Sequence, residues 1–164
     1  MGKILRRKST TSGSATSGLL LLLLILVCAV QTGFGQTASA QIQAFDQNVK
    51  PVHFPFDIYS RIIDMPVLEA NSAWLKQSPG KKWIQGYADP RGDIVYNLVL
   101  SYHRAQFVKT QLGKRGVDVS NVEFATGWGK LYQTCDRSDE KCWQENRRVD
   151  VVPPEALMFH WAAQ

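Results

Sequence analysis

An α/β sandwich, two main helices packed on a four-stranded mixed sheet, is predicted for this 164-residue chain from three observations. Short runs alternate apolar and polar residues with the period of a strand. Two longer runs carry apolar residues at helical spacing and are bounded by capping residues, proline or glycine. Their order is strand, helix, strand, helix, strand, loop, strand, which lays helices over one face of a sheet through parallel, right-handed crossovers.

The amino terminus reads as an address. Lys3, Arg6, Arg7 and Lys8 precede an apolar run from Leu19 to Val30, and Ala38-Ser39-Ala40 has the small-x-small form cut by signal peptidase. Residues 1–40 are therefore expected to be a secretory signal cleaved before Gln41. Two other fates are open to this segment, an uncleaved anchor and lipidation. An uncleaved anchor is disfavoured because the apolar run spans roughly 18 Å as a helix, against a hydrocarbon core of about 30 Å. Lipidation at Cys28 calls for a small residue just before it, where the chain has Val27.

Loss of the signal changes the charge argument. The chain carries 19 basic and 14 acidic side chains, and the four basic residues named above leave with the signal. A near-neutral mature part gives no ground for nucleic-acid binding. Of the three cysteines, Cys135 and Cys142 remain, seven apart in a polar loop, and an oxidising compartment predicts that they pair. Neither their spacing nor a nearby histidine suits a zinc site, and no metal or cofactor is expected.

The elements follow in order. Residues 41–50 are polar without periodicity and read as a linker before a domain over 51–153. Val52, Phe54 and Phe56 alternate with His53, Pro55 and Asp57 as a first strand, placed at an edge because Pro55 cannot donate to a ladder. Pro66 opens a helix with Val67, Ala70 and Trp74 on one side, which Ser78-Pro79-Gly80 closes. Lys82 to Ala88 is a second strand. Asp93 caps a helix to about Leu112, with Ile94, Leu98, Ala105, Val108 and Leu112 as its apolar arc and Asn97, Ser101 and Arg104 at the arc's edge. Val122, Phe124 and Thr126 mark a third strand, Val149 and Val151 a fourth. Residues 154–164 form a tail whose Phe159 and Trp161 have no assigned place.

The chemistry concentrates between the second strand and the second helix. The strand stops at Asp89 in a Pro/Gly turn, and Arg104 stands fifteen positions later on the helix. One carboxylate and one guanidinium aimed into a single pocket suit a ligand with both an amine and a carboxylate. The bland alternative is an ordinary ion pair at the sheet end. Gly92 supplies a tight turn, and Asn97 can bond the loop carbonyls. Of Arg147 and Arg148, alternation points only one at the site, and Arg148 is taken as the secondary contact. Tyr87 is left between pocket wall and solvent.

Five blocks in this order resemble the OmpA-like domain of outer-membrane protein A, peptidoglycan-associated lipoproteins and flagellar stator subunits. They are Phe54-Pro55-Phe56-Asp57, Gly86-Tyr87-Ala88-Asp89-Pro90-Arg91-Gly92, Asn97-Leu98-Val99-Leu100-Ser101-Tyr102-His103-Arg104-Ala105, Gly116-Val117 and Asn146-Arg147-Arg148-Val149. Two departures are Pro55 and Tyr87, where the family usually has no proline and commonly has histidine. The resemblance implies the same α/β sandwich and a periplasmic module that binds peptidoglycan through meso-diaminopimelate. It assigns Asp89 to the ligand's ammonium and Arg104 to its carboxylate, and leaves outer-membrane association open. No catalysis is implied. An adaptor that keeps the fold but docks another envelope protein is the alternative, and an exported hydrolase using His103 or His53 as base has little support in the spacing.

Overall fold

The computed structural model describes residues 39–156. The expected signal, anchor or lipidation at Cys28, and the tail with Phe159 and Trp161, lie outside the described residues. Helix α1 covers 39–48. It is followed by β1 (Val52–His53), α2 (Met65–Leu75), β2 (Lys82–Gly86), α3 (Ile94–Lys114), a 3-10 turn (Val119–Asn121), β3 (Val122–Gly127), α4 (Glu140–Asn146) and β4 (Arg148–Val152). The sheet runs β1-β4-β2-β3, with β4 antiparallel to both neighbours and β2 parallel to β3. It is the α/β arrangement expected, with β4 inserted between the first two strands in sequence.

The core lies between the sheet and helices α2 and α3. Val52, Ile84, Val149 and Val151 meet Leu68 and Leu75 of α2 and Ala105, Val108 and Leu112 of α3. Burying each such side chain stabilises the fold by roughly 1.5–3 kcal/mol relative to exposure. Helix α3 starts where Asp93 accepts from the main-chain N–H groups of Val95 and Tyr96, so its first donors are satisfied. Asp64 precedes α2 without capping it, because its carboxylate is turned to the N–H and the Nδ1 of His53.

Four expectations need correction. The stretch read as a linker is mostly helix: Phe45 and Val49, one turn apart, are buried, and Phe45 packs edge-on against Trp74 at 4.8 Å. Two apolar anchors among polar residues are too few to show a helical period, yet enough to dock one short helix. The first strand ends at His53 because Pro55 offers no N–H and Asp57 takes a φ of 58°. Phe54 stays in the core, but Phe56 turns to the surface.

In α3, Ile94 and Leu98 are exposed, and the buried line over the first turns runs through Asn97, Leu100, Ser101 and Arg104. That half of the helix passes over the strand ends and the turns beyond them, where polar side chains find backbone partners. In α2, likewise, Ala70 is exposed while Leu68, Asn71, Ser72 and Leu75 are buried. Finally, the loop before β4 contains α4, capped by the Asp139 carboxylate accepting from the Cys142 N–H. Cys135 and Cys142 are disulfide-bonded, as expected.

The ends of β2 and β3 fix how close α3 comes. Gly86 lies opposite both Gly127 and Val149. A methyl group added to Gly86 would lie 1.9 Å from the Ser101 carbonyl oxygen, and one added to Gly127 would lie 2.3 Å from the Tyr102 nitrogen. Helix backbone therefore rests directly on strand backbone. Gly86→Ala is expected to cost about 3 kcal/mol or more by forcing the helix off the sheet, read as a shift in the urea midpoint. Replacing both Cys135 and Cys142 by serine should cost up to roughly 2.5 kcal/mol in the same measurement, the chain-entropy value for so short a loop.

Candidate functional site

The line of Asn97, Ser101 and Arg104 faces the turns that leave the sheet, and each residue bonds one of them. The Asn97 amide donates to the Arg91 carbonyl at 2.6 Å, closing the turn in which Gly92 takes a φ of 83°. The Ser101 hydroxyl accepts from the Gly129 N–H at 2.9 Å. The Arg104 guanidinium donates to three carbonyls, of Ile58 at 3.0 Å, Tyr87 at 3.0 Å and Pro55 at 2.9 Å. Close contact at Gly86 and Gly127 brings the helix near enough for those bonds.

Arg104 is 0% exposed. Burial first, and repulsion from Arg147 second, push its guanidinium down to about 10, with Asp89 and Asp57 partly offsetting them. It stays charged at neutral pH. Five N–H donors less the three used leave one on each Nη without a protein acceptor. That is the geometry for holding a carboxylate.

Asp89 is 3% exposed and does not pair with Arg104. Its Oδ1 accepts from the N–H and the Nε of Arg91, both at 3.1 Å, and its Oδ2 from Arg91 Nη2 at 2.6 Å and Arg147 Nη1 at 3.0 Å. Burial alone would raise its pKa, but the hydrogen bonds from Arg91 and Arg147 hold it below the ordinary carboxylate value. Arg147 is bound in turn to the Phe54 carbonyl, Glu140 and Gln144.

These groups line one cleft of about 350 Å³ including its open mouth. Asp89, Arg104, Gly92 and Asn97 all border it, together with Arg91, Arg147, Phe56, Asp57 and Tyr96. Asp57 stands exposed at the mouth, accepting a short hydrogen bond from the Tyr96 hydroxyl. Arg148 does not belong to the cleft, contrary to expectation. It lies on the other face of the sheet, stacked 3.9 Å over the Tyr87 ring, with its Nε on Asp150 and one Nη on the Tyr132 carbonyl.

Tyr87 is accordingly buried, donating to Gln85 at 2.6 Å, and burial pushes its phenol well up. His53 is taken up by Asp64, and His103 lies between the rings of Tyr59 and Tyr102. Neither borders the cleft. Sequence reasoning missed Arg91, Arg147, Phe56, Asp57 and Tyr96. For Arg147 a signal existed: Val149 and Val151 face the core, so the residue of the same parity points to the helix side and Arg148 away from it.

No family model matches the chain. Among curated proteins it is 33% identical over 123 residues to the peptidoglycan-associated lipoprotein of Haemophilus influenzae, covering 74% of this chain and 77% of that one. It is 32% identical over 124 residues to the protein of that name from Agrobacterium fabrum, covering 73% and 69%. Among solved structures, the peptidoglycan-associated lipoprotein from Burkholderia pseudomallei matches with a TM-score of 0.57 and 36% identity over 63% of this chain and 88% of that one. The C-terminal domain of Helicobacter pylori MotB shares the fold, with a TM-score of 0.56 at 17% identity over 70% of this chain and 95% of that one.

The buried carboxylate generates a pH signature. Its depressed folded pKa means that Asp89 contributes stability above the unfolded value near 3.9, and that this contribution disappears as pH falls through the folded pKa. Asp89→Asn should therefore destabilise the protein at pH 7 by about 3 kcal/mol, by leaving the buried Arg147 with only the exposed Glu140 as counter-charge. Wild type and variant should converge as pH falls through the lowered folded pKa of Asp89, in urea melts recorded across pH.

Proposed function

This chain belongs to the peptidoglycan-associated lipoprotein family, and from that premise we propose that it binds peptidoglycan noncovalently and tethers the wall within the envelope. The ligand group is the zwitterionic end of meso-diaminopimelate in the stem peptides. The observation that carries this reading is a buried guanidinium, Arg104, that has two N–H donors without a protein acceptor and borders a cleft also lined by a buried carboxylate. Arg104 takes the ligand's carboxylate in a two-bond fork, and Asp89 supplies the negative pole for the ammonium. Gly92 and Asn97 shape the turn between them. Arg147 replaces Arg148 as the secondary cation.

The reading assigns no catalytic step and no cofactor. It places the protein in the periplasm as an exported module, with outer-membrane association left to the fate of the amino-terminal segment. Among the described residues no helix is long and apolar enough to cross a membrane. A second reading, docking of another envelope protein, draws support from the exposed Ile94, Val95, Val99 and Tyr102 on α3.

Sedimentation with purified sacculi tests the proposal. Wild type should bind saturably and be released by free meso-diaminopimelate. Alanine at Asp89 or Arg104 should cost about 2–5 kcal/mol of binding, on the order of one and a half to three and a half decades in affinity. Circular dichroism of each variant separates loss of the site from loss of the fold. Equal retention of folded variants would refute the pocket, and recovery of a protein partner indifferent to meso-diaminopimelate would favour the second reading.

A further inference from the structure

Asp89 has no room for a ligand in the state seen here. A carboxylate offers about four acceptor positions, and those of Asp89 are filled by three bonds from Arg91 and one from Arg147. An incoming ammonium must displace one of them. Arg147 is 2% exposed and tied to three further partners, whereas the Arg91 side chain is 33% exposed and extends from a surface turn.

The surroundings of the Arg91 guanidinium are those of a cation site. Its central carbon lies 4.2 Å from the centre of the Phe56 ring and 4.0 Å from that of Trp143. Asp89 closes one side, and the Glu140 carboxylate stands 3.7 Å from Nη2 at the rim. Two aromatic faces and two carboxylates around one positive charge form a cage that would serve an alkylammonium as well as a guanidinium.

We propose that Arg91 is an internal stand-in for the ligand's cation: it fills an ammonium subsite built from Phe56, Trp143, Asp89 and Glu140, and swings out to admit a primary ammonium. The proposal rests on the wall-binding reading above and gives it a mechanism. When the side chain leaves, the main-chain N–H of Arg91 stays on Asp89, so the turn keeps its shape while two acceptor positions open. Arg104, on the other side of the cleft, keeps the neighbouring carboxylate. Binding is then an exchange of one cation for another.

The exchange sets the sign of the test. A residue that grips the ligand or buttresses the site weakens binding when removed, but a resident competitor strengthens it. Arg91→Ala should bind free meso-diaminopimelate at least about fivefold tighter than wild type in calorimetric titration, within the range set by a desolvated cation on aromatic rings. Pimelate, which has the carboxylates without the amines, should bind no tighter. Adding Trp143→Leu to Arg91→Ala should erase the gain. In wild type, the Nε–H resonance of Arg91 should shift on saturation with meso-diaminopimelate and stay in place with pimelate.

A folded Arg91→Ala protein that binds meso-diaminopimelate equally or more weakly overturns the proposal, as does an unmoved Arg91 resonance at saturation, which is read without any substitution. Binding by wild type that Asp89→Ala abolishes, without the gain from Arg91→Ala, removes only the role given to Arg91. Absence of meso-diaminopimelate binding by wild type removes the wall-binding reading as well.

Discussion

One buried carboxylate organises the end of this sheet where the cleft opens. Asp89 stands among three guanidinium groups and is held by two of them, in a place almost closed to water. A lone ion there would cost several kcal/mol, so the arrangement persists only because nearly every donor and acceptor is matched. Arg147 illustrates the degree of matching: one donor goes to Asp89 and the others to a carbonyl, a carboxylate and an amide oxygen. Such a network contributes more to the uniqueness of the structure than to its net stability, since a well-packed apolar replacement could be as stable. Its presence at the mouth of a cleft is better understood as preparation for charge in a ligand.

Geometry makes the network possible. Two glycines facing each other on β2 and β3 let the α3 backbone rest on the strands, which brings Arg104 within reach of three carbonyls from two separate segments. Those carbonyls belong to Pro55, Ile58 and Tyr87, so one side chain ties together the turn after β1 and the segment after β2. The same proline and positive-φ aspartate that shorten β1 put Phe56 and Asp57 on the rim of the cleft. A strand that stops early thus supplies a wall.

Much of this was legible in the sequence, for identifiable reasons. The last strand declared itself because Val149 and Val151 alternate on one buried face, whereas in β3 Val122 is buried and Phe124 turns to the surface. The turn at Asp89 and the helix that follows it were marked by Pro90, Gly92 and the capping Asp93. What stayed hidden depends on contacts between distant segments. Residues 41–48 are docked by Phe45 against Trp74, and no local periodicity records that. The helical wheel placed Ile94 and Leu98 inward because it assumes a sheet along the whole helix, whereas the strands end beneath Ser101. Arg148 was preferred to Arg147 although the parity of Val149 pointed the other way. Arg91 was passed over as a turn residue, since nothing in Asp-Pro-Arg-Gly shows that two aromatic rings from elsewhere close on it.

On the proposed reading, charge balance favours a zwitterion over either ion alone. Arg91, Arg104 and Arg147 face Asp57, Asp89 and Glu140, so the local sum is near zero, with Arg91 and Arg147 paired directly to acids and Arg104 bonded to carbonyls. A simple carboxylate satisfies Arg104 but leaves the caged Arg91 where it was and adds a negative charge beside Asp57. A simple ammonium must expel Arg91 without any gain from Arg104. Only a ligand carrying both charges a few ångströms apart collects both contributions. Such neutrality also shortens the reach of the site's field, so encounter depends little on long-range steering, and recognition must come from the paired contacts themselves. Helix α4 carries Glu140, Trp143 and Gln144 and leads into Arg147, and it is tied back by the Cys135–Cys142 bond and by Asn146 bonding Thr134 and Cys135. Those ties hold Glu140 and Trp143 beside the Arg91 guanidinium, so the wall that α4 contributes is fixed by contacts outside the cleft.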